Sequence, residues 1–186
     1  MTPPSLGDVL VQGAMMYLPG SAVEGDLRVS NGKITHVASG GGLTPTATEF
    51  VIDGTGLHLL PGAIDPQVHF REPGQPEKED LGSGSRAAAA GGVTAFLDMP
   101  NNKPVATTRA SMDAKITSAA KNGVTHHGFF IGATPNNVAD LQSIAGMDGV
   151  CGIKIFMGSS TGDLLVHQQK HLENCLLYTS PSPRDA

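Results

Sequence analysis

The sequence predicts an α/β fold: the first half of an eightfold (β/α)8 barrel, preceded by part of a small β domain. Only strand-like segments occur in the first 58 residues, whereas strand-like and helix-like segments alternate from residue 59 onward. The later strands are almost unbroken apolar runs, which is typical of parallel strands buried on both faces. Four such strand–helix units make up half of an eightfold barrel.

The first 58 residues contain three segments rich in β-branched and apolar residues, DVLVQGAMMYL, EGDLRVSNGKITHVA and EFVIDGTGLHLL. The SNGK run at residues 30–33 carries the Asn-Gly pair that favours a two-residue hairpin turn. The glycine-rich SGGGLTPTAT is typical of a loop. We therefore expect a small antiparallel β domain over residues 1–58.

Four strand–helix units follow. Strands are expected in LLPGAIDPQVHF, VTAFLDMP, THHGFFIGA and GVCGIKIFMG, and helices in GSGSRAAAAGG, TTRASMDAKITSAAKNG and NNVADLQSIA. In the second helix, Thr107 or Thr108 is the candidate N-cap, Met112 and Ile116 give the apolar spacing, and Gly123 ends the helix. Half a barrel leaves two open sheet edges, so either a second chain completes it or the chain is incomplete.

The final stretch, CLLYTSPSPRDA, departs from this pattern. Its Ser- and Pro-rich composition is typical of a disordered terminus. It also resembles the in-frame translation of a transposase adapter used in sequencing libraries, in which TGTCTCTTATACACATCT encodes Cys-Leu-Leu-Tyr-Thr-Ser. We expect residues 175–186 to be a non-native tail and residues 59–174 to be the barrel segment of an N-terminal fragment.

The composition bears on the kind of partner and on the compartment. The chain has 12 basic and 17 acidic residues, a net charge of −5 and no basic cluster, which argues against a nucleic-acid or anionic membrane partner. The two cysteines, Cys151 and Cys175, form no disulfide framework, which favours the reducing cytoplasm. No apolar run has the length of a membrane span, and the start MTPPSLGD lacks the regions of a signal peptide.

Polar side chains stand at the ends of the predicted barrel strands. Gln67 and His69 end the first strand, and because a strand alternates faces, both could reach one cation. Asn101 follows the second strand, and Lys154 lies in the fourth. We expect them at one mouth of the barrel, where the carboxyl ends of parallel strands converge. A lysine in an apolar strand is rare unless it is paired or functional.

Three motifs together resemble a known family. LLPGAIDPQVHFREPG, AAAAGGVTAFLDMPNNKP and GIKIFMGSSTGDLLV, within roughly residues 8–166, resemble the cyclic-amidohydrolase branch of the amidohydrolase superfamily, and within it the dihydroorotases. The resemblance implies a TIM barrel flanked by a small β-sandwich domain. It also implies a metal-dependent, homo-oligomeric enzyme that acts on a small molecule. That enzyme would interconvert dihydroorotate and N-carbamoyl-aspartate in pyrimidine biosynthesis.

The resemblance also implies roles for individual residues. His69 matches the second histidine of a metal-binding His-x-His motif, and Gln67 stands in place of the first. Lys154 matches a lysine that bridges two metals, usually Zn2+, once carbon dioxide has carbamylated it. Arg71 and Asn101 match residues that hold the substrate carboxylate. The other ligands and the general-base aspartate would lie beyond this fragment, so we expect no catalytic residue in it and no activity from it alone.

Alternatives stay open at several positions. Gln67 could ligate weakly, since an amide oxygen is a poorer zinc ligand than imidazole; it could also leave a single metal, or belong to an empty, non-catalytic site. Asn101 could instead cap a turn, and Arg71 could pair with a neighbouring glutamate. An allantoinase or hydantoinase would differ in the group that Arg71 contacts. A non-catalytic scaffold would lack the downstream histidines and aspartate.

Overall fold

The computed structural model describes residues 7–158 and 164–177. The chain forms two compact units, of which the first ends at Pro61 and the second begins at Gly62. The sequence placed this boundary after residue 58. The observed boundary lies further along the chain because His58 and Leu59 still pair with a strand of the first unit.

The first unit is one sheet of five strands, β1 (Val9–Leu18), β2 (Ser21–Ser30), β3 (Lys33–Ser39), β4 (Phe50–Asp53) and β5 (His58–Leu59). The predicted hairpin joins β2 to β3 through Asn31 and Gly32, whose φ angles of 51° and 72° suit a type I′ turn. The predicted antiparallel pairing is found between β1 and β2 and between β2 and β3, but it was wrong for β4 and β5, which pair with β1 in parallel. The long loop after β3 brings the chain back alongside β1 in the same direction.

In the second unit, strands and helices alternate along the chain. They are β6 (Ala63–Val68), α1 (Leu81–Ala90), β7 (Val93–Asp98), α2 (Arg109–Asn122), β8 (His126–Gly132), α3 (Val138–Ser143), β9 (Val150–Lys154) and α4 (Gln169–Leu177). The four strands are parallel and lie in the order β6-β7-β8-β9. Parallel strands in sequence order, joined by helices, are the arrangement predicted for half of a (β/α)8 barrel.

Local capping sets the ends of the first two helices. The Asp80 carboxylate accepts a hydrogen bond from the Ser83 main chain at the start of α1, and the Ser83 hydroxyl reaches back to complete a capping box. Thr108 and Ser111 form the same arrangement on α2, and Gly123 ends that helix, as predicted. None of the helices in the described ranges is long and apolar enough to cross a membrane.

Helix α4 crosses the predicted end of the barrel segment at Asn174 and continues to Leu177. The Cys175 side chain is 1% exposed and belongs to the hydrophobic core, against which Leu172 packs. The spacing of Leu172 and Cys175 continues an apolar helical face, which explains why the helix does not stop at residue 174. The remainder of the predicted non-native tail, residues 178–186, lies outside the described residues.

The core of the second unit lies between the sheet and its helices, and it anchors the loop that follows β6. Phe70, in that loop, is only 8% exposed and packs edge-on against Phe96 of β7, with 4.7 Å between the ring centroids. Gly84 of α1 makes room for this ring, because a Cβ atom there would lie 2.5 Å from Phe70 Cε1. The Phe70 side chain therefore anchors this loop to the core through a buried aromatic contact.

We predict that Gly84→Ala destabilises the second unit, although alanine favours helices. Overpacking typically costs about 1–3 kcal/mol, which exceeds the helix-propensity gain of about 1 kcal/mol. Urea unfolding followed by circular dichroism measures the change. The matched control is Gly91→Ala at the end of the same helix, where the nearest atom would lie 3.5 Å away. Equal stability of the two variants would contradict the tight contact with Phe70.

Candidate active site

The residues predicted to form a site lie where the parallel strands end. Gln67 is in β6, and His69 and Arg71 follow that strand. Asn101 follows β7, and Lys154 is the last residue of β9. Because the four strands are parallel, all these residues lie at the same edge of the sheet.

Exposure alternates along the end of β6. Gln67 and His69 are exposed, whereas Val68 is half-buried and Phe70 is buried. Gln67 and His69 therefore lie on one face, as strand geometry predicts. The main-chain N–H of Gln67 donates to Asp65 Oδ1 over 3.0 Å. Its side-chain amide makes no hydrogen bond with any described residue, so its oxygen is free to accept one or to bind a cation.

Asn101 orients the His69 ring. Its Oδ1 atom lies 2.7 Å from His69 Nδ1. An amide oxygen can only accept, so Nδ1 carries the proton and donates it. The lone pair is then on Nε2, which is the state in which a histidine binds a metal with its other nitrogen held by a hydrogen bond.

Arg71 faces a small cleft between the loops that follow β6 and β7. The cleft has a volume of about 180 Å3, and its lining includes His69, Arg71, Asn101, Gln75, Asn102 and Lys103. The guanidinium of Arg71 is exposed and makes no ion pair or hydrogen bond within residues 7–158 and 164–177. It is therefore free to bind an anionic group that enters the cleft.

Glu72, beside Arg71, has a structural contact instead. Its Oε2 accepts from the main-chain N–H of Leu81 over 2.9 Å, and its Oε1 accepts from the Ser118 hydroxyl. A carboxylate at the first turn of α1 is favourable because the helix dipole is positive there. Both oxygens of Glu72 are engaged by helices, so the alternative that Arg71 pairs with it is not observed.

Lys154 shares the edge of the sheet but is not joined to His69. It is half-buried on β9, three strands from β6, and its ammonium lies 5.3 Å from the centroid of the Phe156 ring. Its main-chain carbonyl accepts from the Ala133 N–H over 2.9 Å. In the part of the chain that the structure describes, no hydrogen bond or ion pair links Lys154 to His69.

The ligand atoms at this edge of the sheet are of types that bind divalent metals, but there are too few of them to complete a metal site. His69 offers Nε2 and Gln67 offers an amide oxygen. Lys154 could ligate only after its amine is converted to a carbamate, because an ammonium has no lone pair. Within the described ranges, no group of three His, Cys, Asp or Glu side chains could hold a metal ion. Zinc usually takes four ligands, so the others would have to come from elsewhere in the whole protein.

Sequence reasoning missed a buried polar cluster behind the cleft. Lys115 of α2 is 2% exposed, and Asp98 at the end of β7 is fully buried. Lys115 Nζ lies 2.6 Å from Asp98 Oδ2, and the two side chains form a buried ion pair. The same ammonium donates to Asn102 Oδ1 over 2.7 Å and to the Met99 carbonyl over 3.2 Å.

Burial disfavours the ionised forms of both Asp98 and Lys115. It raises the pKa of the Asp98 carboxyl, and the nearby Lys115 ammonium acts in the opposite direction. It lowers the pKa of Lys115, and Asp98 counteracts that shift. A signal for the cluster did exist in the sequence, because Lys115 lies on the same helical face as Met112 and Ala119. A lysine within an apolar stripe indicates a buried partner.

A family model and several curated relatives match this chain. The model of the dihydro-orotase-like family matches residues 56–151. The dihydroorotase of Methanosarcina acetivorans is 35% identical over 162 residues, covering 87% of this chain and 34% of the relative. The allantoinase of Deinococcus radiodurans is 36% identical over 154 residues, covering 82% of this chain and 34% of the relative.

A solved structure shows the same fold. The L-hydantoinase (dihydropyrimidinase) from Arthrobacter aurescens matches with a TM-score of 0.79 at 24% identity, over 91% of this chain and 37% of that chain. The likeness confirms the predicted fold class, a partial (β/α)8 barrel with a small β domain. The chain spans about a third of the length of the curated relatives it matches.

We predict that Asn101→Ala changes the tautomer of His69. Without the amide acceptor, the neutral ring returns to the Nε2–H form that free imidazole prefers. Two-dimensional 15N NMR of the imidazole nitrogens in mildly alkaline solution distinguishes the two forms. Asn136→Ala, at an exposed asparagine, serves as the control and should keep the wild-type spectrum. The same tautomer in all three proteins would exclude Asn101 as the group that orients His69.

Proposed function

The chain belongs to the dihydro-orotase-like family, and from this membership we propose that the whole protein is a metal-dependent hydrolase of cyclic amides. The proposed reaction is the reversible hydrolysis of dihydroorotate to N-carbamoyl-aspartate in pyrimidine biosynthesis. Hydrolysis breaks the ring amide C–N bond. The oxygen of water joins the carbonyl carbon, and a proton goes to the leaving nitrogen, so the ring opens to a carboxylate and a ureido group.

The observation that carries this choice of substrate is the Arg71 guanidinium, which lines the same cleft as His69 and has no ion-pair or hydrogen-bond partner among the described residues. Dihydroorotate bears a carboxylate outside the ring bond that is cleaved. A guanidinium binds a carboxylate through two parallel hydrogen bonds, which gives both affinity and a fixed orientation. Because Glu72 is held by α1 and α2, it does not neutralise Arg71.

The remaining side chains have complementary tasks. A divalent metal supplies Lewis-acid chemistry for amide hydrolysis when it is bound. Nε2 of His69 would hold it, with the ring fixed through Nδ1 by Asn101. The Asn101 amide nitrogen keeps two N–H donors for the substrate, since only its oxygen is used by His69.

We also infer the identity of the metal and two of its ligands. The metal is Zn2+, Gln67 is a weak ligand, and Lys154 is carbamylated before it binds the metal. The cytoplasmic location and the homo-oligomeric state inferred from the sequence belong to the same proposal. The lining of the cleft, as far as it is described, includes no carboxylate that could act as a general base. We therefore expect the 186-residue chain alone to show no turnover.

The second candidate is a cyclic amidase of the allantoinase or hydantoinase type. It is favoured by the allantoinase of Deinococcus radiodurans, whose identity of 36% is slightly above the 35% of the Methanosarcina acetivorans dihydroorotase. Allantoin and hydantoin have no carboxylate. Arg71 would then contact a neutral group, and its charge would matter little for the rate.

We predict that Arg71→Gln, in the whole zinc-loaded protein, lowers kcat/KM for dihydroorotate roughly 10- to 100-fold. The loss corresponds to a charge-assisted hydrogen bond of about 1.5–3 kcal/mol. Steady-state kinetics with dihydroorotate, allantoin and hydantoin measures the selectivity. Arg86→Gln, at an exposed arginine of α1 outside this cleft, is the matched control and should leave all three rates unchanged.

Each other outcome points to a different function. Hydrolysis of allantoin or hydantoin in preference to dihydroorotate, unaffected by Arg71→Gln, would replace the proposal with the second candidate. No turnover of any of the three by the zinc-loaded protein would indicate a non-catalytic member of the family.

A further inference from the structure

The buried Asp98–Lys115–Asn102 cluster holds the backbone of Phe70 beside the cleft, which Asn102 itself helps to line. The main-chain N–H of Phe70 donates to Asp98 Oδ1 over 3.0 Å. Its carbonyl accepts from Asn102 Nδ2 over 2.9 Å. Both polar backbone groups of Phe70 are thus held by side chains from the end of β7 and the loop after it.

Lys115 sets the direction in which the Asn102 amide points. Its ammonium donates to Asn102 Oδ1, so the amide nitrogen must face the opposite way, toward the loop that follows β6. There Nδ2 donates to the Glu72 carbonyl over 3.1 Å as well as to that of Phe70. One asparagine therefore holds the backbone on both sides of Arg71.

Stability alone does not account for this cluster. Burying an ammonium and a carboxylate costs several kcal/mol per ion, and neutral side chains of similar size are often as stable. The charged pair supplies two contacts at once: Lys115 donates to Asn102 and fixes its amide, and Asp98 accepts from the Phe70 N–H. An apolar pair would supply neither contact. The residues whose directions depend on Phe70 are its neighbours in sequence, His69 and Arg71.

We propose that Asp98, Lys115 and Asn102 act as a positioning unit, which sets the orientations of His69 and Arg71 by holding the backbone of Phe70 between them. Asp98 and Lys115 do not line the cleft, and the Asn102 amide is already engaged by Lys115 and by the loop backbone. The consequence for catalysis rests on the proposed function, but the positioning itself can be measured without metal or substrate.

Asn102→Asp tests the link to the loop with almost no change in shape. The new carboxylate keeps its contact with Lys115, but its second oxygen faces the carbonyls of Phe70 and Glu72, which it repels instead of binding. We expect the loop to move and His69 to lose the Nδ1–H···Asn101 hydrogen bond, seen as loss of the Nδ1–H form in 15N NMR. Asn136→Asp makes the same change of charge at an exposed site and should keep that form.

A second variant tests the helix end of the cluster. Asp98→Asn combined with Lys115→Met removes both buried charges and keeps an oxygen that can accept from the Phe70 N–H, so it should fold. It deprives Asn102 of the donor that orients it, and we again expect loss of the Nδ1–H form of His69. Circular dichroism and a cooperative melt establish folding.

Retention of the wild-type His69 signal in either folded variant would overturn the proposal. A loss of fold stability alone does not alter the spectrum of the molecules that remain folded, so the tautomer separates positioning from general support. The result is also independent of turnover. An inactive whole protein would contradict the proposed function and leave this measurement unaffected.

Discussion

The buried ion pair between Lys115 and Asp98 is the interaction on which the arrangement of this site depends. It joins α2 to the end of β7 at 2.6 Å, with both side chains almost fully excluded from solvent. Such a pair is weak evidence of added stability, because desolvation offsets the attraction. Its effect is geometric: the ammonium and the carboxylate each keep a further partner, Asn102 and the Phe70 N–H, which connect the loops that follow β6 and β7.

Two kinds of feature could be predicted from the sequence. Local features could, because the start of α2 at Thr108 depends on Ser111 a turn later. The shared position of His69 and Asn101 at one edge of the sheet could as well, because it follows from the parallel strands. The parallel pairing of β4 and β5 could not be predicted, because it depends on the path of a long loop. The apolar stripe of α2 indicated that Lys115 is buried, but its partner Asp98 could not be identified, because only the fold brings the two residues together.

In the Arg-Glu-Pro-Gly run, the two charged residues have different roles, which could not be distinguished from the sequence. Glu72 stabilises the packing of α1 and α2 against the loop, whereas Arg71 stays exposed in the cleft. In the described part of the chain, Glu72 is engaged by two helices while the Arg71 guanidinium has no partner, so Arg71 contributes a positive charge to the cleft. This charge is the basis of the proposed preference for an anionic substrate.

The most direct test of the positioning account is native-state hydrogen exchange at the Phe70 amide in the unmodified chain. If Asp98 holds that N–H as described, it exchanges as slowly as the core amides of β7, because it opens only when the second unit unfolds. If it exchanges as fast as the amide of the exposed loop residue Glu77, the loop moves independently of the buried pair. The cluster would then not position His69 and Arg71.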